Sequence, residues 1–264
     1  MKRGVVQALL LAAAHTALLA QVQTSVQPPA RTPVLAGPST PPLRSGYADM
    51  SPATQALQRD DTQNPAWLWV TDGERRFNTD CSRCHTLQSL RGVATRYPAF
   101  DKALGKPVTL AGRVNLCRVR HLQAAPLALE SDELLGLEAV VALQSRGMPI
   151  APERDPRLQA FRDTGRQLFN RRMGQLDFSC AQCHDQHAGG RLAGATIPQG
   201  HPNGYPIYRL EWQGLGSLQR RLRNCMTGVR AEPYAYGSDE ATALELFLMQ
   251  RATGLPLEAP AVRP

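Results

Sequence analysis

After residue 20, the sequence has no apolar run long enough to span a lipid bilayer, because charged residues, glycine or proline soon interrupt each one. The first 20 residues begin with Met1, Lys2 and Arg3 and continue as a nearly unbroken apolar segment over residues 5–20. A basic start followed by an apolar run that is shorter than a membrane helix and ends in small residues is typical of a secretory signal peptide. We therefore expect residues 1–20 to be removed, leaving a periplasmic protein with no stable membrane insertion.

The sequence also lacks a motif that reads nucleic-acid bases, and it lacks the pattern of a strand-rich domain. Its formal charge of +8 is therefore no evidence of nucleic-acid binding, since an exported protein has no reason to meet that partner. Residues 21–62 are rich in proline, serine, threonine and alanine and show no sustained helical period, which indicates an extended arm or linker. The rest of the chain is expected to be mainly α-helical with long loops.

Two copies of one pattern follow the arm. Each copy contains, in the same order, a Gly-x-x-x-Phe-Asn segment, a Cys-x-x-Cys-His motif, a lone cysteine, a Ser-Asp-Glu segment and a Gly-x-Pro segment. The distance from the serine to the final proline is 18 positions in both copies. The repeat predicts two tandem domains of one kind, at residues 63–153 and 154–264.

The Ser-Asp-Glu segments indicate where a helix begins in each copy. The hydroxyls of Ser131 and Ser238 can accept hydrogen bonds from the free amides of a first helical turn, and acidic residues there suit the helix dipole. The stretches Leu134–Ser145 and Ala241–Ala252 are then expected to form amphipathic helices that end before glycine and proline.

The Cys-x-x-Cys-His motifs indicate haem attachment. Two thiols three positions apart can form thioethers with the vinyl groups of a haem, while the adjacent imidazole coordinates its iron. A zinc half-site or a redox disulfide uses the same cysteine spacing, but neither requires the histidine. We therefore predict two covalently bound haem c groups in two tandem cytochrome c-like domains. The residues concerned are Cys81, Cys84 and His85 in the first copy and Cys180, Cys183 and His184 in the second.

The sixth ligand of each iron is expected to be the lone cysteine of the same copy, Cys117 or Cys225. Small cytochromes c often use methionine, but no methionine occupies equivalent positions in the two copies, whereas the lone cysteines do. Arginines near both cysteines would stabilise a thiolate. A disulfide between Cys117 and Cys225 is the alternative that an oxidising compartment favours. Thiolate ligation lowers the potential of the iron, which suits a site whose sulfur takes part in chemistry better than a simple electron relay.

Longer segments of the chain resemble the dihaem SoxA subunits of bacterial thiosulfate-oxidising SoxAX cytochromes. The resemblance runs from about Trp67 to Pro264, and its most specific part is Arg-Leu-Arg-Asn-Cys-Met at residues 221–226. Some members of the family lack the first haem and form a disulfide in its place, but this chain keeps the complete first motif and so resembles the dihaem type. Further matching segments lie at 115–118, 144–149, 229–234, 236–238 and 254–260.

This resemblance implies a reaction and a set of partners. It implies an L-cysteine S-thiosulfotransferase, which joins thiosulfate oxidatively to a cysteine of the carrier protein SoxYZ while two electrons leave through the haem of SoxX to a small cytochrome c. It also implies that Cys117 is the distal ligand of the first haem. Cys225 would be both the distal ligand of the second haem and the catalytic residue, often carried as a cysteine persulfide.

Two arginines are candidates for binding the thiosulfate dianion, since guanidinium groups suit oxyanions. Arg221 lies one helical turn before Cys225, and Arg230 lies shortly after it. Either could instead belong to a solvated basic surface or pair with a haem propionate.

Two other functions stay open at this point. The first is a dihaem electron carrier without sulfur-transfer chemistry, in which the lone cysteines are only ligands or form a disulfide. The second is a dihaem peroxidase, which two strong thiolate ligands disfavour because that chemistry needs an open or releasable distal position.

Overall fold

The computed structural model describes residues 42–264, and this part of the chain is mainly α-helical, as predicted. The predicted signal peptide at 1–20 and the first part of the predicted arm, residues 21–41, lie outside the described residues. The helices are α1 (Pro52–Arg59), α2 (Trp67–Asp80), α3 (Leu110–Leu122), α4 (Asp132–Leu143), α5 (Gln159–Asn170), α6 (Leu218–Gly228) and α7 (Asp239–Arg251). The strands, all short, are β1 (Ala99–Asp101), β2 (Lys106–Val108), β3 (Arg191–Leu192), β4 (Ala195–Thr196), β5 (Ile207–Arg209), β6 (Gly214–Gly216) and β7 (Ala261–Arg263).

One closely packed helix pair forms the core of each copy, α2 with α4 and α5 with α7. The glycine of the Gly-x-x-x-Phe-Asn segment makes each close approach possible. A Cβ atom at Gly73 would meet the backbone carbonyl of Gly136, and one at Gly165 would meet that of Ala243. The phenylalanine four positions later is buried in both copies, so one short segment supplies the crossing point and a large core side chain.

The predicted helix starts at the Ser-Asp-Glu segments are confirmed. The hydroxyl of Ser131 accepts from the amide of Leu134 at 3.3 Å, and that of Ser238 accepts from Ala241 at 3.2 Å. The prediction that these helices are amphipathic is wrong. In α4, buried residues lie on nearly every side, because α2, α3 and β6 all pack around it.

Each copy also contains a hairpin that the sequence pattern did not indicate. The antiparallel pair β1–β2 leads into α3, which carries Cys117, and the antiparallel pair β5–β6 leads into α6, which carries Cys225. Thr109 and Ser217 cap these two helices in the same way. The order α2, β1–β2, α3, α4 therefore recurs as α5, β5–β6, α6, α7, which confirms two tandem domains of one kind. The second copy adds the β3–β4 hairpin and β7.

The Gly-x-Pro segments pair with each other across the two copies. The amide of Gly147 donates to the carbonyl of Leu257 at 2.8 Å, and that of Ile150 donates to Leu255 at 2.9 Å. Around them lies a small apolar cluster that includes Ala142 from α4 and Met249 from α7. The domain boundary between residues 153 and 154 remains a prediction.

The described end of the predicted arm is partly helical, which differs from an extended linker. Ser51 caps α1 through the amide of Thr54, and Pro52 occupies its first turn, a position that suits proline. The helix packs on β7, where Gln58 accepts from the backbone amide of Val262 at 3.0 Å. Within residues 42–264, no helix combines the length and apolar character needed to cross a membrane.

Candidate functional site

The second Cys-x-x-Cys-His motif lies on the wall of a cavity of about 930 Å³. Ser179 and Gln182 exchange hydrogen bonds between side chain and backbone, which begins the helical turn that carries the motif. Within that turn, Cys180, Cys183 and His184 are half-buried and all line the cavity. The sequence spacing therefore places both thiols and the imidazole at one wall.

One hydrogen bond fixes the orientation of His184. Its Nδ1 atom lies 2.7 Å from the carbonyl oxygen of Pro198, and because a carbonyl only accepts, Nδ1 carries the proton. The Nε2 atom is then the one with a free lone pair for a metal. This arrangement suits an axial ligand of haem iron.

The lone Cys225 lies on the same cavity and faces the motif. Its sulfur is close to the His184 ring. Burial disfavours the Cys225 thiolate, but the adjacent His184 and the charges of Arg221 and Arg209 outweigh that effect and lower the pKa of Cys225. Burial alone dominates at Cys180 and raises its pKa to about 11. The two classes of cysteine in this cavity therefore differ in acidity.

The cavity has the size and lining that a haem requires. Its volume falls within the range of about 300–1,000 Å³ that is common for ligand pockets. On its wall, Arg209 Nε is buried and has no hydrogen-bond partner among residues 42–264, so an oxygen acceptor such as a carboxylate would satisfy it. The apolar part of the wall includes Phe169, Leu218, Leu222, Leu244 and Leu248.

Of the two arginines predicted to bind substrate, only Arg221 lines this cavity. It is half-buried, and its guanidinium forms no hydrogen bond or ion pair with any other described residue. Arg230 is exposed and lines a separate cleft of about 410 Å³, together with Arg171 and Tyr234. The structure therefore brings Arg221, and not Arg230, together with Cys225.

Sequence reasoning missed Tyr205 and Arg209, which also line the cavity. Arg209 is the last residue of β5, and Tyr205 precedes that strand by two positions. Burial raises the pKa of Tyr205 to about 12, so its hydroxyl is a neutral hydrogen-bond donor at physiological pH. Aligning the two copies through their lone cysteines would have drawn attention to Arg209, because the equivalent position holds Asp101.

The first motif is more open to solvent. Cys84 and His85 are exposed, whereas Cys81 is half-buried at the end of α2. Burial raises the pKa of Cys81, and the neighbouring charges that act on it include that of Cys117 on α3. Each lone cysteine thus lies near the motif of its own copy, and all six cysteines are free. The alternative disulfide between Cys117 and Cys225 does not form in this structure.

Comparison with known proteins decides the family. The model of the SoxA/TsdA cytochrome c domain matches residues 67–150 and 164–257, one match in each copy. The chain belongs to the SoxA/TsdA cytochrome c family. Membership means that it carries covalently bound haem c.

Named relatives agree with this assignment. The L-cysteine S-thiosulfotransferase subunit SoxA of Rhodovulum sulfidophilum is 34% identical over 84% of this chain and 80% of its own length. The SoxA subunit of Paracoccus pantotrophus is 32% identical over 84% of this chain and 79% of its own. The crystal structure of SoxXA from P. pantotrophus superposes with a TM-score of 0.81 at 32% identity, covering 84% of this chain and 87% of that one.

Proposed function

We propose that this SoxA-family protein is an exported, periplasmic dihaem cytochrome that conjugates thiosulfate oxidatively to a cysteine of the carrier protein SoxYZ. The observation that carries the proposal is the placement of Cys225. It shares one cavity with the haem-attachment motif of its own copy and with Arg221, a guanidinium without a partner among the described residues. A thiol, an iron ligand and an anion-binding group in one cavity are what this reaction needs.

The chemistry at Cys225 can be written so that atoms and electrons balance. The sulfane sulfur of thiosulfate forms a bond with the Cys225 sulfur as two electrons are withdrawn. A carrier thiolate then attacks that sulfane sulfur, the bond to Cys225 breaks, and the Cys225 thiolate leaves. In total, one carrier thiol and one thiosulfate dianion give a carrier S-thiosulfonate monoanion, one proton and two electrons. A Cys225 persulfide would do the same through its terminal sulfur.

The remaining residues hold the electron acceptor and the substrate. In the second copy, Cys180 and Cys183 would form the thioethers, and His184 and Cys225 would ligate the iron; Cys81, Cys84, His85 and Cys117 would have these roles in the first copy. Bound haem would accept the two electrons one at a time and pass each on to the partner subunit. Arg221 would orient the sulfonate oxygens of thiosulfate, and Arg230 remains a second candidate outside the cavity.

The electrons need an exit, for which we propose the monohaem cytochrome SoxX as the partner subunit and a small cytochrome c as the final acceptor. The name of the superposable structure, SoxXA, supports the first of these partners. The alternative function, a dihaem electron carrier without sulfur transfer, would assign Cys225 only a ligand role. In that case Arg221 would pair with a haem propionate rather than with a substrate.

Cys225→Met separates the two functions, because a thioether still ligates iron but cannot accept or release a sulfane group. Cys117→Met makes the same change at the equivalent position and is the matched control. Each variant is mixed with SoxYZ, thiosulfate and an oxidised cytochrome c, and the mass of the carrier is followed. We expect carrier modification to stop in the Cys225 variant and to continue in the Cys117 variant. Normal modification by Cys225→Met would overturn the proposed function.

A further inference from the structure

The two copies differ at one position beside their lone cysteines. Asp101 and Arg209 are the last residues of β1 and β5, and both are separated from their lone cysteine by 16 positions. The arginine one helical turn before each cysteine is equivalent as well, since Arg113 precedes Cys117 as Arg221 precedes the second cysteine. The two members of each pair are 108 positions apart, and the β1–β2 and β5–β6 hairpins have the same register. The pairs are Asp101 with Arg209, Arg113 with Arg221, and Cys117 with Cys225.

In the first copy, Asp101 on β1 forms an ion pair with Arg113 on α3. Arg113 Nη1 donates to Asp101 Oδ2 at 2.8 Å, and Arg120 Nη1 donates to the same oxygen at 2.8 Å. The Asp101 side chain is only 4% exposed, so the ion pairs are shielded from water. The positive charge beside Cys117 therefore already has an internal anion.

In the second copy, Arg209 on β5 stands at the position of Asp101 and adds a positive charge instead. Arg209 and Arg221 line the same cavity, and neither has a carboxylate partner inside it. Arg209 donates through Nη2 to the exposed Glu211 at 2.8 Å, but its Nε atom is buried without a partner among the described residues. Burial and the nearby charge of Arg221 lower the pKa of Arg209, and the exposed Glu211 offsets this only in part.

The net charge of the cavity wall agrees with an anion site. The side chains of the wall include four arginines and one carboxylate, that of Asp49, which is already paired with Arg44 at 2.6 Å. Arg263 is paired with Glu258, and Arg191 donates to the carbonyl of Gly194. This leaves Arg221, which has no partner among the described residues, and Arg209, whose one carboxylate partner is the exposed Glu211 outside the cavity wall.

We propose that Arg209 is a specificity residue that binds the sulfonate end of thiosulfate together with Arg221. This inference rests on the proposed function and adds to it the reason why only the second copy has a substrate site. A sulfonate presents three acceptor oxygens, enough for two guanidinium groups, and a dianion balances their two charges. In the first copy, the buried carboxylate of Asp101 pairs with Arg113, whereas the equivalent Arg221 has no such partner among the described residues.

The test uses the full-length holoprotein with its partner subunit and four variants. R209Q removes the charge, R209K keeps it, and R209D introduces a carboxylate where the first copy has one. R172Q removes the same charge from an exposed ion pair with Asp177 and is the control. Binding of thiosulfate and of sulfate is measured by calorimetry without carrier, kcat and KM are measured with carrier, and the haem midpoint potentials are recorded.

We expect R209Q to weaken thiosulfate binding and raise KM about tenfold or more, the effect of losing a charge-assisted hydrogen bond, while kcat changes by less than about threefold. R209K should recover most of the affinity, and R209D should abolish measurable binding because Arg221 then gains an internal partner. R172Q should behave as wild type.

Unchanged thiosulfate affinity in R209Q and R209D would overturn the inference. If a shifted haem potential accompanied that result, Arg209 would be assigned to a haem propionate. Failure of the proposed function has a different signature, since the wild-type protein would then bind thiosulfate without modifying the carrier.

Discussion

Glu138 on α4 and Glu245 on α7 occupy equivalent positions in the two copies and line one cavity of about 210 Å³. Each accepts a hydrogen bond from a residue in the first turn of a cysteine-bearing helix, α3 or α6. The backbone amide of Ala111 donates to Glu138, and the side chain of Gln219 donates to Glu245 at 3.2 Å. Glu130 lines the same cavity, so three carboxyl groups share a poorly solvated space. Burial and the neighbouring carboxylates raise the pKa of Glu138 well above its usual range.

The pH dependence of stability should reflect Glu245. Burial raises its pKa to about 7, above the ordinary value of 4.5. Between these two values the unfolded chain loses the proton while the folded protein keeps it, so the free energy of unfolding should fall as pH rises from about 4.5 to 7. At pH 8, Glu245→Gln should be more stable than wild type by up to about 3 kcal/mol.

Urea unfolding of the holoprotein at pH 5 and pH 8 measures this difference. Glu240→Gln removes a carboxylate from an exposed position of the same helix and should leave the pH dependence unchanged. An identical pH dependence in wild type and Glu245→Gln would show that Glu245 ionises normally.

The haem content should be two covalent haems per chain, because both attachment motifs are complete. A pyridine haemochrome assay combined with the intact mass of the purified chain measures this number. Cys180→Ala together with Cys183→Ala should remove one haem and leave the other. A wild-type chain with one haem would contradict the dihaem assignment.

Replacing Cys117 by alanine should alter the first haem and leave sulfur chemistry largely intact. The lone thiol of the first copy is near Cys81, and the arginine one helical turn before it, Arg113, is paired with Asp101 rather than left for thiosulfate. Low-temperature electron paramagnetic resonance of the variant should show one changed low-spin signal and one that is retained. Loss of all carrier modification with an unchanged second haem would refute this division of roles.

The close crossing of α5 and α7 should make Gly165 intolerant of a side chain. A Cβ atom there would meet both the Ala243 carbonyl and the Cβ of Phe247, so Gly165→Ala should destabilise the fold by about 1–3 kcal/mol, the usual cost of overpacking. Gly228→Ala is the control, because a Cβ atom at that position meets nothing within 4 Å. Thermal unfolding of the two variants compares them, and equal stability would mean that the helices can separate at little cost.

Local patterns explain why so much could be predicted from the sequence. Haem attachment needs two thiols and an imidazole within five consecutive residues, and capping by Ser131 or Ser238 involves a contact three residues away, so neighbouring residues determine both. The internal repeat then showed that the lone cysteines are equivalent. The family resemblance supplied the reaction, which no spacing reveals.

Only the tertiary structure decided which charged side chains meet at Cys225. Arg209 reaches the cavity from β5 because that strand pairs with both β6 and the C-terminal β7, whereas Arg230 is close to Cys225 in sequence but lines another cleft. Only the tertiary structure brings Glu138 and Glu245 to one cavity, because they lie 107 positions apart in the sequence. The sequence by itself determined the two haem motifs, the repeat and the helix starts, since these rest on short-range contacts. The proposed anion site and the cavity shared by Glu138 and Glu245 depend on long-range packing, which places residues by the path of the whole chain rather than by their spacing.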